Sequence, residues 1–271
     1  MPAKPALAIR LFASAALATT LALTLGGCKT TGDDIITGSV AAPQTPRTDA
    51  DWRRSLEVWG ARYRENPNDA NAAVAYARAL RATDQRPQAV AVLQQATIRN
   101  PNNMALLGEY GRALADVGDY NQALDVLTRA HTPDNPDWRI LNAQGAVLDQ
   151  LGRYTEAQQH YAAALRIVPG EPSIMSNLGL SYALTKDLPR AEATLREAMA
   201  RRDAAPKVRQ NLALVVGLQG RFAEAEQIAR ADLPPDEAAA NVAYLKQMLA
   251  QRSQWAKKSG RPLMPAPDAG T

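Results

Sequence analysis

The most reactive group in this sequence is a single thiol. Cys28 is the only cysteine of the 271 residues, so no disulfide can form within the chain. It directly follows Gly26 and Gly27, which leave the sulfur open to a modifying enzyme. The two histidines, His131 and His160, have no Cys or His partners at metal-ligand spacing. Ser/His/Asp arrangements and phosphate-binding glycine loops are missing. Asp116, Asp119 and Asp125 flank a turn and read as solvated helix ends. This inventory predicts no catalysis, no metal and no cofactor. What remains are side chains able to grip another protein, and these depend on the elements that carry them.

Lys4 and Arg10 precede an apolar or small stretch, residues 11–25. That run is short for a membrane span, which needs about 18 residues or more. A basic start, a short apolar stretch and small residues at the end predict a signal peptide over residues 1–27. Leu25-Gly26-Gly27-Cys28 resembles the lipobox of bacterial lipoproteins. The resemblance implies a diacylglyceryl group on the Cys28 thiol, cleavage before Cys28, and a further fatty acyl chain (palmitate or similar) on the new amino end. Several chains, each contributing about 0.8 kcal/mol per buried CH₂, make a durable anchor. In that family Asp after the cysteine favours the inner membrane, so Lys29 points to the periplasmic side of the outer membrane. Residues 28–48 have no helical period and hold Gly, Pro, Thr and Asp, which predicts a lipidated flexible tether. As a random coil it would span roughly 25 Å.

The formal charge is +4, and removing Lys4 and Arg10 leaves 4 − 2 = +2. That balance is not a nucleic-acid signature. The small basic cluster of Arg252, Lys257, Lys258 and Arg261 reads as a solvated helix end or, less simply, as a membrane-surface contact. Apolar residues make up 46% and aromatics only 5%, which suits helices packed through small residues better than a sandwich or barrel.

The body has a period. Ala89, Ala123, Ala157, Ala191 and Ala225 recur at one constant interval, without an insertion. The same register carries Ala77, Gly111, Gly145, Gly179 and Ala213, and then Ala96, Ala130, Ala164 and Ala198. Between them run two large columns, Leu80, Leu114, Leu148, Tyr182, Val216 and Leu93, Leu127, Tyr161, Leu195. Each unit therefore reads as a first helix, a tight turn and a second helix. Small residues at the eighth, twentieth and twenty-seventh places admit close approach, and large ones at the eleventh and twenty-fourth fill the space between. The turns fall at Gly118-Asp119-Tyr120, Gly152-Arg153-Tyr154 and Gly220-Arg221-Phe222, where Gly can take the left-handed conformation. Asp84-Gln85-Arg86 and Lys186-Asp187-Leu188 are less ideal turns. Asn100-Pro101-Asn102 and Val168-Pro169-Gly170 close second helices, because Pro cannot continue one.

This set of places, with its Gly-Asp/Arg-Tyr/Phe turn and closing Pro, resembles the tetratricopeptide repeat, whose period is about 34 residues. The units run 70–103, 104–137, 138–171, 172–205 and 206–233, the third matching best. Pro133 and Pro136 should shorten the second helix of the second unit, and Leu233-Pro234-Pro235 cuts the fifth. The resemblance implies an all-α, right-handed superhelical solenoid over 49–258. Residues 51–65 read as a half-repeat packing Trp52, Leu56, Trp59 and Tyr63 on the first unit. Asp236 can cap a terminal helix over 236–258, buried through Val242, Leu245, Met248, Leu249 and Trp255. Residues 259–271 are Pro- and Gly-rich and read as a disordered tail.

In such repeats the second, fifth, sixth, ninth and twelfth places of the first helix commonly face a concave groove. Carried over, these are Asn71, Val74, Arg78 and Arg81, then Arg112, then Arg139 and Asn142, then Asn177, and last Lys207 and Asn211. Asn177 and Asn211 share the sixth place, where an amide could bond a partner's backbone. The arginines could attract an acidic segment or a carboxylate. The carboxylate-clamp pattern of chaperone-binding relatives is not reproduced. The lipobox, the ungapped array and the ending from Asn211 to Gln251, with its Pro-Pro break, together resemble the TadD-type lipoproteins of tight-adherence (Flp) pilus machines. That resemblance implies a non-enzymatic scaffold at the outer membrane, holding the secretin or another machine subunit. The alternative is a periplasmic adaptor for cell-envelope enzymes or outer-membrane barrel assembly.

Overall fold

Alanine, glycine and leucine at fixed intervals leave helix pairing as the way to bury this chain's apolar surface. The computed structural model describes residues 48–259, with side chains to Gln251. The expected signal peptide, Cys28 with its tether, and the tail beyond Ser259 lie outside the described residues, as do the side chains of Trp255 and of the basic cluster. Among the described residues the regular structure is twelve α-helices, with an isolated bridge between Thr132 and Asn135 and no strand. None of these helices is long and apolar enough to cross a membrane.

Helix α1 (Asp49–Glu65) is followed by five pairs. These are α2 (Ala70–Ala82) with α3 (Arg86–Arg99), α4 (Met104–Asp116) with α5 (Tyr120–Thr128), and α6 (Trp138–Gln150) with α7 (Tyr154–Ile167). Then come α8 (Pro172–Leu184) with α9 (Leu188–Met199) and α10 (Pro206–Leu218) with α11 (Phe222–Ala229), and α12 (Pro235–Ser259) closes the array. Every first helix has 13 residues and starts at the first place of its unit. The residue before it is the cap. Asp69, Asn103, Asp137 and Glu171 each accept a backbone N–H of the first turn, while Ala205 has no such side chain.

The turn between paired helices is the same in all five units. Asp84, Gly118, Gly152, Lys186 and Gly220 each have positive φ, between 61° and 87°. The next residue returns its N–H to the eleventh place, as Asp119 does to Leu114 O at 3.0 Å and Arg153 to Leu148 O at 2.9 Å. This double closure satisfies the last carbonyls of the first helix. The backbone of the two less ideal turns therefore follows the glycine turns, at the cost of a left-handed Asp84 and Lys186.

The predicted notching is present atom by atom. A Cβ placed on Gly145 would lie 2.6 Å from the Tyr161 ring, on Gly111 2.5 Å from Leu127 Cγ, and on Gly179 2.7 Å from Leu195 Cγ. In the second, third and fourth units the eighth place of the first helix thus receives the twenty-fourth of its partner. All five alanines of the twentieth place are fully buried. Tyr182 is only partly buried, and Arg190 stacks over its ring at 4.7 Å. The prolines of 133–136 hold α5 to nine residues, against 14 in α3 and α7.

The ends cap the stack. Thr48 and Asp51 form a reciprocal capping box on α1. Gly60 of α1 lies against Tyr76, whose ring stacks on Tyr63. At the other end α12 begins at Pro235, so Asp236 sits in its first turn rather than capping it. Leu245 packs over Gly217, Val242 joins the core, and Ala238 is buried. Met248 is exposed, which corrects the expected stripe: the inward face runs 238, 242, 245 and 249 at helical spacing.

Two substitutions test this packing. Gly145→Ala should lower stability by about 1–3 kcal/mol in urea denaturation, because the Tyr161 ring cannot retreat from the new methyl. Lys186→Gly should raise it by about 0.5–1 kcal/mol, since relief of the left-handed strain outweighs the extra freedom of the unfolded chain.

Candidate partner-binding face

First helices of successive units touch: α2 meets α4, α4 meets α6, α6 meets α8 and α8 meets α10. Second helices of successive units do not pack in this way, although Arg196 of α9 reaches Glu224 of α11 at 2.8 Å. Within this array the first helices therefore lie on the inner side and the second helices splay outward. The inner side is where the predicted partner-binding residues fall.

The structure gathers three of them. Arg78 donates to Glu109 at 2.6 Å, Arg81 at 3.2 Å and Arg112 at 3.1 Å. Arg81 also donates to Asp116 at 2.5 Å, so Asp116 is a partner in this network rather than a solvated end. Glu109 is only 5% exposed and is not among the expected residues. Burial pushes its carboxyl up, but the Arg78 hydrogen bond and the charges of Arg112, Arg78 and Arg81 outweigh that and hold it below the usual range. Three guanidiniums around two carboxylates leave one positive charge in excess. The Arg78 side chain is 56% exposed, so part of the cluster's donor capacity faces solvent.

The asparagines act differently from the expectation. Asn177 donates to Asn142 at 3.0 Å, and Asn211 to Ser176 at 2.8 Å. Each bond joins the sixth place of one unit to the fifth of the unit before. Asn211 is 6% exposed, so its amide braces two first helices and does not reach a partner. Between the second and third units that contact is apolar, with Ala143 in the sixth place and Gly108 in the fifth. A Cβ on Gly108 would meet Ile140 at 2.6 Å. Arg139 is exposed and stacks over its neighbour Trp138 at 4.3 Å. Lys207 and Asn71 are exposed, and Val74 is half-buried. None of these four joins the Glu109 cluster.

Asp149, at the twelfth place of the third unit, is buried and accepts from Tyr161 at 2.9 Å and Ser181 at 2.7 Å. Burial raises its carboxyl above the usual range, more than the two hydroxyl bonds lower it. A second charge knot lies on the second helices. Glu192 accepts from Gln219 at 2.8 Å, from Arg196 at 2.7 Å and from Arg221 at 2.8 Å. Burial opposes its ionisation, yet these bonds bring its pKa down to about 2.

Two depressed carboxylates, Glu109 and Glu192, contribute stability that is present above their unfolded value near 4.5. That contribution is lost as pH falls toward about 2, where Glu192 finally protonates. Thermal melts should therefore fall between pH 4.5 and 2. Glu192→Gln should flatten that fall, while Asp149→Asn should not, because the raised Asp149 titrates with the opposite sign.

Family models of the tetratricopeptide repeat match residues 75–137 and 138–204. Among solved structures, PilW, a widely conserved type IV pilus biogenesis factor, resembles the chain with a TM-score of 0.63 at 16% identity, over 72% of this chain and 91% of that one. TTC0263, a thermophilic tetratricopeptide-repeat protein of Thermus thermophilus, gives 0.58 at 23% identity, over 66% of this chain and 99% of that one. The Cut9-Hcn1 hetero-tetramer of APC/C gives 0.60 at 14% identity, over 72% of this chain and 40% of that one. These likenesses are of fold. No curated protein matches the sequence.

Proposed function

We propose, from the premise that this chain is a tetratricopeptide-repeat protein, that it is an outer-membrane lipoprotein scaffold for Flp/Tad pilus assembly. Tetratricopeptide repeats make protein-interaction scaffolds, and the inner side of this array offers a surface with a positive excess. Its occupant is an acidic or C-terminal segment of the secretin or of another machine subunit. The observation that carries this reading is the Arg78–Arg81–Arg112 cluster, whose buried Glu109 holds three guanidiniums at the inner surface. Such pre-ordering lowers the side-chain entropy lost on gripping a carboxylate. The Cys28 motif supplies the anchor, and its tether lets the array reach a partner some distance from the membrane. PilW, described as a pilus biogenesis factor, shows that the same architecture serves that kind of work in another protein.

One complementation experiment tests the reading. Deleting the gene should abolish surface pili in electron micrographs and reduce secretin multimers on unboiled gels. Wild-type protein should restore both. Cys28→Ser should fail and leave the membrane fraction. Arg78→Glu with Arg139→Glu should stay anchored but lose partner co-purification by about tenfold or more, as expected for charge reversal at a polar interface. Normal piliation in the deletion strain would sink the pilus assignment. Envelope defects with intact pili would favour an adaptor for cell-envelope enzymes instead.

A further inference from the structure

The chain's only two histidines, carried by neighbouring units, line one cavity of about 440 Å³ on the second-helix side. The short α5 creates it. Where a full-length second helix would continue, the chain turns away at His131 and Pro133 and leaves a gap between α5 and α7. Helices α5 and α7 do not pack against each other, which leaves this gap open between them. Its floor is the first helix between them, through Gln144 and Leu148.

Three polar atoms of the lining residues are buried and have no hydrogen-bond partner among the described residues: Gln144 Oε1, His131 Nδ1 and His160 Nδ1. Gln144 is only 3% exposed. Its place in the other units is held by Tyr76, Tyr110, Leu178 and Leu212, so the amide is an exception in a core column. Its Nε2 faces Thr128. That hydroxyl spends its proton on Leu124 O at 2.8 Å and can only accept, so it takes Gln144 Nε2 at 3.5 Å. Oε1, a pure acceptor, is left over. Burial, and then the nearness of His131, disfavours the charged form of His160. A neutral imidazole with its proton on Nε2 presents a second acceptor at Nδ1. At the rim, Arg153 donates two bonds to Glu156, at 2.7 and 2.6 Å, and at His160 the negative charge of Glu156 acts more strongly than the positive charge of Arg153. Leu124, Leu148 and Pro133 supply apolar wall for a methylene stem.

We infer that this cavity is a docking point for a basic side chain of a protein partner, its guanidinium or ammonium N–H groups donating to Gln144 Oε1 and to the two Nδ1 atoms. The site does not depend on the pilus reading and lies on the opposite side of the helix pairs from the Glu109 cluster. The described residues bring no third His, Cys or carboxylate into a ligating arrangement with the two imidazoles, so an organic cation fits the donor set better than a metal ion.

The two histidines are also the reporters. In the full-length chain labelled with ¹⁵N-histidine, only two imidazoles give signals. Titration with N-acetyl-arginine amide at millimolar concentrations should shift both. N-acetyl-citrulline amide, which has the same shape without the charge, should bind about tenfold more weakly or worse. Gln144→Leu, which reproduces the Leu178 and Leu212 of later units and so should fold, should abolish the arginine response with both imidazole signals retained. Gln144→Glu should tighten it about tenfold. Equal responses to arginine and citrulline, an unchanged response in Gln144→Leu, or a response to zinc chloride with none to arginine would each overturn the inference.

Discussion

Everything in this array follows from one steric requirement: paired helices close so tightly that the eighth place holds only glycine or alanine, and in three of the five pairs no Cβ fits there. Gly111, Gly145 and Gly179 each face a Leu or Tyr whose side chain occupies the space a methyl would need. That contact sets the rotation of one helix against its partner. Rotation in turn decides which residues face the next unit and which face the interior. A single repeat spacing, kept without insertion, is what lets every pair use the same contact. Inserting or deleting one residue within a helix would turn the rest of that helix by about 100° and bring the wrong side chains to its notch.

Once the pairs are fixed, the polar groups they enclose become structural. Glu109 sits at a place where Asn177 and Asn211 occur in later units. In each case the side chain reaches back toward the preceding first helix, by an ion pair in one unit and by amide bonds in the others. A buried carboxylate held by three guanidiniums is a costly arrangement if any member is lost. Its retention next to an exposed Arg78 makes it a platform that keeps cationic groups in place.

The sequence is readable where a feature repeats. The notching columns, the turn positions, the short α5 and the terminal half-repeat all stand in the spacing of alanines, glycines and prolines. The helix caps at Asp69, Asn103, Asp137 and Glu171 recur at the same interval, but three different residue types hide the column. Side-chain pairing is less legible. Family places mark Asn211 as groove-facing, yet a residue at the edge between an inner surface and a neighbouring helix can turn either way, and Ser176 decides it. Glu109 holds the same sixth place as Asn177 and Asn211, which marks its position, but its pairing is hidden because its three partners come from separate turns of two helices. The gathering of His131 and His160 has no sequence signal at all. It arises from a missing length of helix.

The uneven contact between inner and outer helices has a mechanical consequence. First helices are strapped to one another by packing and by bonds such as Asn177 to Asn142, whereas second helices do not pack on their counterparts and meet through a surface ion pair, Arg196 to Glu224. Bending that spreads or closes the outer side therefore works against fewer contacts than bending along the inner row. The inner straps act as the hinge line and set the restoring force. An array built this way is compliant in one direction and stiff in the others, like a leaf spring. Its curvature can change without unfolding any of its own units.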